Sequence, residues 1–456
     1  MERFTDFDEG RDMDDVSDAA IGSRALGKAS WRILPLIALG YGFAFIDRAN
    51  ISFAAASMNR DLHFNAAIYG LGGGLFFLSY ALLEVPSNLL LARFGARRWI
   101  ARIMITWGVL AAGMMLVRTP LQFYVMRFLL GVAEAGFFPG VIYYLTQWFP
   151  AEARGRAITR FYVASPLSTV VMGAVAGSLL GLQGRLGLAG WQWLFLVEGL
   201  PAVLMGAAIL FLLPDAPASA TWLSPAEKDW IERKLAADFT SPERRQDRGV
   251  LRAVLNPIVL AFALVNVVAL GSYYAFNLSA PQILGQATHL DVARIGYLVA
   301  AGGLLGAITM VLAGWHSDLR RERFVHLAVP LLTSAVAYAI LSLTSDPLVV
   351  IGAYWLAIVS NFGIAATVWL APSDVLAPRS MAVSVAAINA IGQLGSFVSP
   401  FLWGLAKDAT GSYRLGTGLL PIGYILAALL VLWLGRQAKL RRAGQASSSI
   451  LSPSEC

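Results

Sequence analysis

Cysteine is almost missing from these 456 residues: Cys456, at the last position, is the only one. That excludes an internal disulfide and a thiolate metal cluster. Histidine is scarce as well, with four scattered residues that show no ligand spacing, so zinc and redox chemistry have no support and no cofactor is expected. Charge is short too. Asp, Glu, Lys and Arg make up 14% of the chain against 57% hydrophobic residues, and mean hydropathy is +0.64, which excludes an ordinary water-soluble globule. A net charge of +7 would suit nucleic acid, but the arginines stand in short clusters between apolar runs rather than in a basic stripe, so no such partner is expected. Paired His or Asp chemistry, a nucleophile elbow and a cofactor loop are not found, and no enzyme is expected.

What is present is a series of long apolar runs separated by short polar breaks. Roughly 20 residues at about 1.5 Å each cross a bilayer core. On that scale the chain reads as an all-α polytopic membrane protein of twelve transmembrane helices. The first six are expected over 32–57, 68–91, 99–117, 121–146, 157–182 and 191–213, and the second six over 255–281, 293–314, 325–344, 347–371, 381–403 and 416–435. Two six-helix bundles, 32–213 and 255–435, are thus expected, with a cytoplasmic linker at 214–254. In the linker Ser224 precedes Glu227 by three residues as a capping box for one amphipathic helix, and the charge-rich SPERRQDR follows. Residues 1–31 are acidic (Asp6, Asp8, Glu9, Asp12, Asp14, Asp15, Asp18), wrong for a cleaved signal peptide, and predict a disordered cytoplasmic tail; 436–456 form the other tail.

Orientation follows from the short loops. Arg93, Arg97 and Arg98, then Arg154 and Arg156, then Arg320, Arg321 and Arg323, then Arg379 follow even-numbered helices. The opposite loops hold mainly single residues such as Arg60, Arg118 and Arg185, with Lys407 and Arg414 the exception. The even loops and both termini are therefore expected inside a cell membrane, the inner membrane in a Gram-negative bacterium. The clusters also mark a repeat, since Arg98 to Arg321 spans 223 positions and Arg154 to Arg379 spans 225. Six helices repeated in parallel imply two bundles facing a central cavity, the arrangement of alternating access. A sensor is the alternative from another class, but it would be expected to carry a substantial soluble output domain.

The stretch LQFYVMRFLLGVAEAGFFPGVIY, 121–143, holds Arg127 and Glu134 at bilayer depth. Seven residues are about two turns, so both side chains lie on one helix face, roughly 10 Å apart along the axis. A charge at that depth costs about 2.5–3.5 kcal/mol on insertion scales and must face protein or water. The pair serves a transport site or, alternatively, locks two helices together. Asp47 and Arg48 interrupt the first helix in the same way and either serve that cavity or neutralise each other. At the repeat-related positions the second bundle offers only Ser272, Tyr273, Gly352 and Val359, so coupling chemistry is expected in the first half.

FIDRANISFAAASMNRDL in the first helix, YALLEVPSNLLLARFGARRWIARIMITWG across the second and third, GWQWLFLVEGLPAV in the sixth and INAIGQLGSFVSPFLWGLAKDATGS in the eleventh resemble the anion:cation symporter family of the major facilitator superfamily. The likeness spans essentially the whole chain. It implies the major facilitator fold and a small organic anion as substrate, as for phthalate, sugar-acid and aromatic-acid permeases, often with a proton. Resemblance to the sugar-acid permeases implies that Asp47 and Glu134 take up protons. Arg48 and Arg127 would offer the planar fork that suits a carboxylate. Tyr80, Trp369 in the tenth helix and Asn389 in the eleventh carry over as cavity residues, with packing the alternative for Trp369. The seventh helix adds Tyr273, Tyr274, Asn277 and Gln282. The chain departs from relatives at Phe45, commonly tyrosine, at Ser165 with Pro166, where an amide is usual, and at Ser279 and Ala280, where tryptophan and leucine are usual. Fewer polar groups favour a less hydroxylated, aromatic acid.

Gly173, Gly177 and Gly181 on the fifth helix are expected to permit close helix approach and lack the glycine-proline pattern of antiporters, which favours symport. Glu84 and Glu198 are expected near helix ends, paired with loop arginines or water in structural roles. Proton-coupled uptake by a functional monomer is the first reading. Exchange or efflux of an organic anion is the second.

Overall fold

The computed structural model describes residues 6–240, 254–320, 322–376 and 381–450. Among these residues twelve helices are long and apolar enough to cross a membrane, and no strand occurs. In chain order the spans are Asp18–Leu62, Ala66–Phe94, Ala96–Leu116, Pro120–Thr146, Ala151–Leu180, Gly190–Leu212, Pro257–Asn277, Val292–Arg320, Phe324–Leu343, Pro347–Thr367, Val383–Thr410 and Arg414–Leu440. Large apolar side chains stay exposed around the outside, among them Leu204, Phe211, Val311 and Leu426. So much apolar surface needs a bilayer to cover it.

Local sequence explains where several spans begin. Thr119, Asn256 and Asp346 each accept a backbone N–H of the first turn, and each is followed by a proline at the start of the helix. The side chain satisfies a donor that the helix cannot, and proline removes another. Two spans break where the chain cannot continue. The fourth stops at Glu134 and resumes at Phe137, across Gly136 at φ 86°, a left-handed conformation that favours glycine. A Cβ there would also stand 2.5 Å from Ser87 Oγ. The seventh, expected as one helix over 255–281, ends at Asn277 and is followed by a second helix, Ala280–Thr288, opening with Pro281. The tenth ends at Thr367, so Trp369 sits in the turn before a short 3-10 segment at Ala371–Asp374 and not on the helix.

The two halves touch mainly through the second and eleventh spans and the fifth and eighth, with Ala280–Thr288 against the first. Small residues make this possible. A Cβ at Gly70 would stand 2.1 Å from the Pro400 carbonyl oxygen, and one at Gly74 2.3 Å from that of Phe397. On the other seam, a Cβ at Gly173 would stand 2.4 Å from the Gly296 carbonyl oxygen and one at Gly177 2.5 Å from Ala293 Cα, whereas Gly181 meets only its own helix. Asp408 of the eleventh span accepts the Ala66 and Ala67 N–H groups at 3.0 and 2.8 Å, capping the second span from the opposite half. Tyr69 donates to Leu278 O at 2.9 Å. All of these contacts gather toward one end of the molecule, the end holding the loop between the first two spans.

The N-terminal tail departs from its expected disorder. A helix runs unbroken over Asp6–Leu62. Asp18 accepts Trp230 Nε1 at 2.9 Å and Arg233 Nη2 at 2.8 Å, Lys28 reaches Glu227 Oε2 at 2.8 Å, and Ala25 and Ala29 are fully buried. Asp18, one of the acids that suggested disorder, is a partner of the linker helix Pro225–Thr240, whose capping box forms through Ser224 and Glu227 as expected. Burial would raise the Glu227 carboxyl, but hydrogen bonds from Lys28 and the Ser224 N–H hold it below its usual value. At the other end the last helix continues over Arg414–Ile450, past the boundary expected at 435. Arg321, Arg379, Cys456 and the SPERRQDR segment lie outside the described residues.

Candidate functional site

The four intramembrane charges of the first half come together, but not in the pairs that adjacency suggests. Successive helical residues point about 100° apart, so Asp47 and Arg48 leave the first span on different sides. Arg48 turns toward the fourth span and donates through Nε to Glu134 Oε1 at 3.0 Å, with Nη2 on the same oxygen. Asp47 turns toward the third and accepts Trp107 Nε1 at 3.1 Å and Asn50 Nδ2 at 3.4 Å. The break after Glu134 ends that helix at the carboxylate.

Burial is severe. Asp47, Arg127 and Glu134 are 3%, 2% and 1% exposed. Glu134 Oε2 has no hydrogen-bond partner among the described residues, and Arg127 makes one long contact, Nε to Gly72 O at 3.4 Å. The Phe76 ring is within reach of both guanidiniums, 4.9 Å from Arg127 Cζ and 5.5 Å from Arg48 Cζ. Arg48 also stands 5.2 Å from the Tyr80 ring and 5.3 Å from that of Phe45. Aromatic faces of this kind hold a cation without neutralising it. Both arginines thus keep binding capacity.

A narrow recess opens between the halves beside Arg48. Among the described residues Arg48 is its single charged lining residue. From the second half come Tyr273, Tyr274, Asn277 and Tyr354; from the first come Phe45, Ser52 and Thr169. Its walls are therefore mostly apolar, aliphatic and aromatic together, with a few hydroxyl and amide groups and one cation, the composition of a pocket for a small anion with an apolar body. Tyr274 packs across the seam on Phe77, ring centroids 4.1 Å apart.

The structure brings Arg48, Tyr273 and Asn277 to this recess, sets Tyr80 behind Arg48, and buries Asp47, Glu134 and Arg127 one layer deeper. Asn389 lies apart and donates to Glu84 Oε2 at 3.4 Å, linking the halves away from their tightly packed end. Trp369 is half-buried among apolar side chains and does not line the recess. Among the described residues neither acid assigned a structural role meets a loop arginine. Glu84 meets Asn389, and Glu198 sits inside the sixth span beside Gly199, which packs on Gly108 and Ala112 of the third. Reasoning from sequence missed Trp107 and Asn50 as partners of Asp47. The Asn50 signal was available, an amide three residues from an intramembrane acid on one helix face.

Residues 37–400 match the Major Facilitator Superfamily. Over 439 residues, 95% of this chain and 97% of the other, the sequence is 40% identical to a candidate tartrate transporter of Agrobacterium vitis. It is 37% identical, over 93% of this chain and 97% of the other, to a quinolone resistance transporter of Acinetobacter baumannii. Among solved structures, a bacterial homologue of the human lysosomal transporter Spinster, in an inward-facing and occupied conformation, superposes with a TM-score of 0.73 at 18% identity, covering 89% of this chain and 96% of that one.

Proposed function

The chain belongs to the Major Facilitator Superfamily, a multi-pass transporter and not an enzyme, and on that premise we propose that it takes up a small organic carboxylate together with a proton by alternating access. The observation that carries this reading is that Arg48, the one charged group lining the recess, is held by the buried Glu134. While Glu134 is ionised it competes with an incoming carboxylate for the guanidinium; protonated, it releases Arg48 and removes a like charge. Proton and anion then favour each other's binding, which is symport by electrostatic linkage. Asp47, held by Trp107 and Asn50, is the second acid of this scheme. The relative named for tartrate supports an organic acid as cargo.

With even-numbered loops and both termini on the cytoplasmic side, by the distribution of arginine, the tightly packed end faces outward and this conformation is closed to the outside. The second reading, efflux or exchange of an organic anion, draws support from the relative named for quinolone resistance. The deciding experiment is flux into proteoliposomes of radiolabelled acids, tartrate included, with and without an imposed pH gradient. Accumulation against the acid's own gradient, driven by inward proton movement, is expected. Flux that ignores the pH gradient, or runs only against a preloaded acid, would replace symport by exchange.

A further inference from the structure

Three arginines where the second span passes into the third take no part in the recess and pair with no carboxylate among the described residues. Arg93 lies in the last turn of the second span, and Arg98 and Arg102 lie in the first turns of the third. Asp215, the acid that meets this corner, is taken by Arg97 at 2.8 Å. Arg102 stands six residues past Ala96, about 9 Å along the helix axis. Its Nε is buried without a hydrogen-bond partner, and its Cζ lies 4.0 Å from the centre of the Trp99 ring, three residues back toward the start of the span. Residues 98, 102, 106 and 109 share one helix face, and that face is the outer one. Arg98 and Thr106 are exposed and Val109 is 58% exposed, whereas Ala101, Ile105 and Gly108 pack on Gly206 and Gly199 of the sixth span. Arg102 therefore borders lipid and reaches back toward the headgroups.

The rings beneath these cations are fixed. Trp99 Nε1 donates to Ser87 Oγ of the second span at 3.0 Å, Phe94 stacks on Trp99 with centroids 5.6 Å apart, and Arg93 Cζ lies 5.8 Å from the Phe94 ring. One aromatic pair thus carries two guanidiniums, with Arg98 one turn from Arg102, and rings hold cations without neutralising them. The missing anion has to sit at headgroup depth. We propose that this corner binds an anionic phospholipid, with Arg98 and Arg102 on its phosphate and an acyl chain along the face that carries Val109. A basic pocket between spans at the membrane surface is the form such recognition takes. A zwitterionic lipid would bring an ammonium or choline group as well, and among the described residues no carboxylate is free at this corner to receive it. A soluble phosphate would have to leave water for a face that is apolar from Val109 onward, so the lipid is the better occupant. By the distribution of arginine this end is cytoplasmic. The site does not depend on what the protein transports.

Native mass spectrometry of the full-length protein in neutral detergent, after incubation with equimolar phosphatidylglycerol and phosphatidylcholine, tests this. The wild type should retain phosphatidylglycerol in preference, and Arg102→Gln should lower that retention about fivefold, the change expected for one arginine at a membrane surface. Arg98→Gln, at an exposed position, should act in the same direction and keeps the test available should Arg102→Gln not fold. Trp99→Leu leaves every charge in place and should weaken retention by removing the surface on which Arg102 rests. Arg185→Gln, at an exposed arginine of the opposite end, should change nothing. Equal retention of the two lipids by the wild type, a preference unchanged in both Arg98→Gln and Arg102→Gln, or an equal loss in Arg185→Gln would overturn the site. Thermal unfolding in the same detergent separates the two sources of phosphate. Phosphatidylglycerol should raise the midpoint and inorganic phosphate should not; an equal rise with inorganic phosphate would overturn the lipid as occupant.

Discussion

Replacing Glu134 by glutamine keeps the shape of the side chain and deletes the charge that occupies Arg48. In the wild type Arg48 donates through two nitrogens to one carboxylate oxygen in a largely buried setting. A hydrogen bond to a charged group contributes about 1.5–3 kcal/mol, and the neutral bond that glutamine could still accept contributes about 0.5–1.5. An arriving carboxylate must displace the first in the wild type but only the second in the variant, a saving of about 1–1.5 kcal/mol, or roughly fivefold to fifteenfold in Kd. The sign with pH follows from the same competition. Wild-type affinity should rise as pH falls and Glu134 is protonated, whereas Glu134→Gln should bind tightly with a flatter pH response, exchange acid between preloaded vesicles, and fail to accumulate it under a pH gradient. Equilibrium binding to protein in nanodiscs across a pH series provides the measurement. A variant with wild-type affinity and the wild-type pH slope would refute competition between Glu134 and substrate for Arg48.

Arg127→Lys keeps the charge but loses both the planar fork and the stacking on Phe76, so binding of the transported acid should weaken at least tenfold; unchanged affinity would remove Arg127 from the site. Substituting Tyr273 or Asn277 should reorder preference among acids while leaving proton dependence intact, read as uptake ratios in a mixed panel; the opposite outcome would contradict the division between a coupling half and a selecting half. Gly70→Val should disfavour the closed end, because the new side chain meets the Pro400 carbonyl; overpacking of about 1–3 kcal/mol shifts the conformational equilibrium roughly fivefold to 150-fold. With Cys456 replaced the chain has no thiol, so labelling of single cysteines introduced beside the recess reads that shift directly. The lowered Glu227 carboxyl contributes to docking of the N-terminal helix a stabilisation that is fully present above the ordinary carboxylate range and lost as pH falls through its depressed folded value. Hydrogen exchange over residues 18–31 should accelerate there, and Glu227→Gln should remove the pH dependence.

The twelve spans were legible because a bilayer allows few solutions: every apolar run of the right length has to be a helix, and the short polar breaks mark the ends. The interruptions were less legible. Pro281 announces a break in the seventh span, yet nothing before the structure showed that the chain would start a new helix and lay it across the first span. The tail failed for a related reason, since composition speaks to whether a segment can fold alone, and this one folds against the linker helix. In the site, the intramembrane charges announced themselves by their cost, but their partners did not. Glu134 lies 86 residues from Arg48, and Trp107 lies 60 from Asp47. Neighbours on a helix diverge, so adjacency misleads; only the rotation of the first span against the third and fourth decides which base meets which acid. That rotation sets Arg48 on Glu134 and leaves Asp47 with Trp107 and Asn50, so on the proposed scheme an anion reaching Arg48 disturbs Glu134 first. Two acids held by separate partners can be protonated in sequence rather than at once, and a double variant lacking both carboxylates should therefore lose accumulation no more completely than either single variant. Uphill accumulation that survives in both single variants and in the double would show that the driving protons do not pass through these carboxylates.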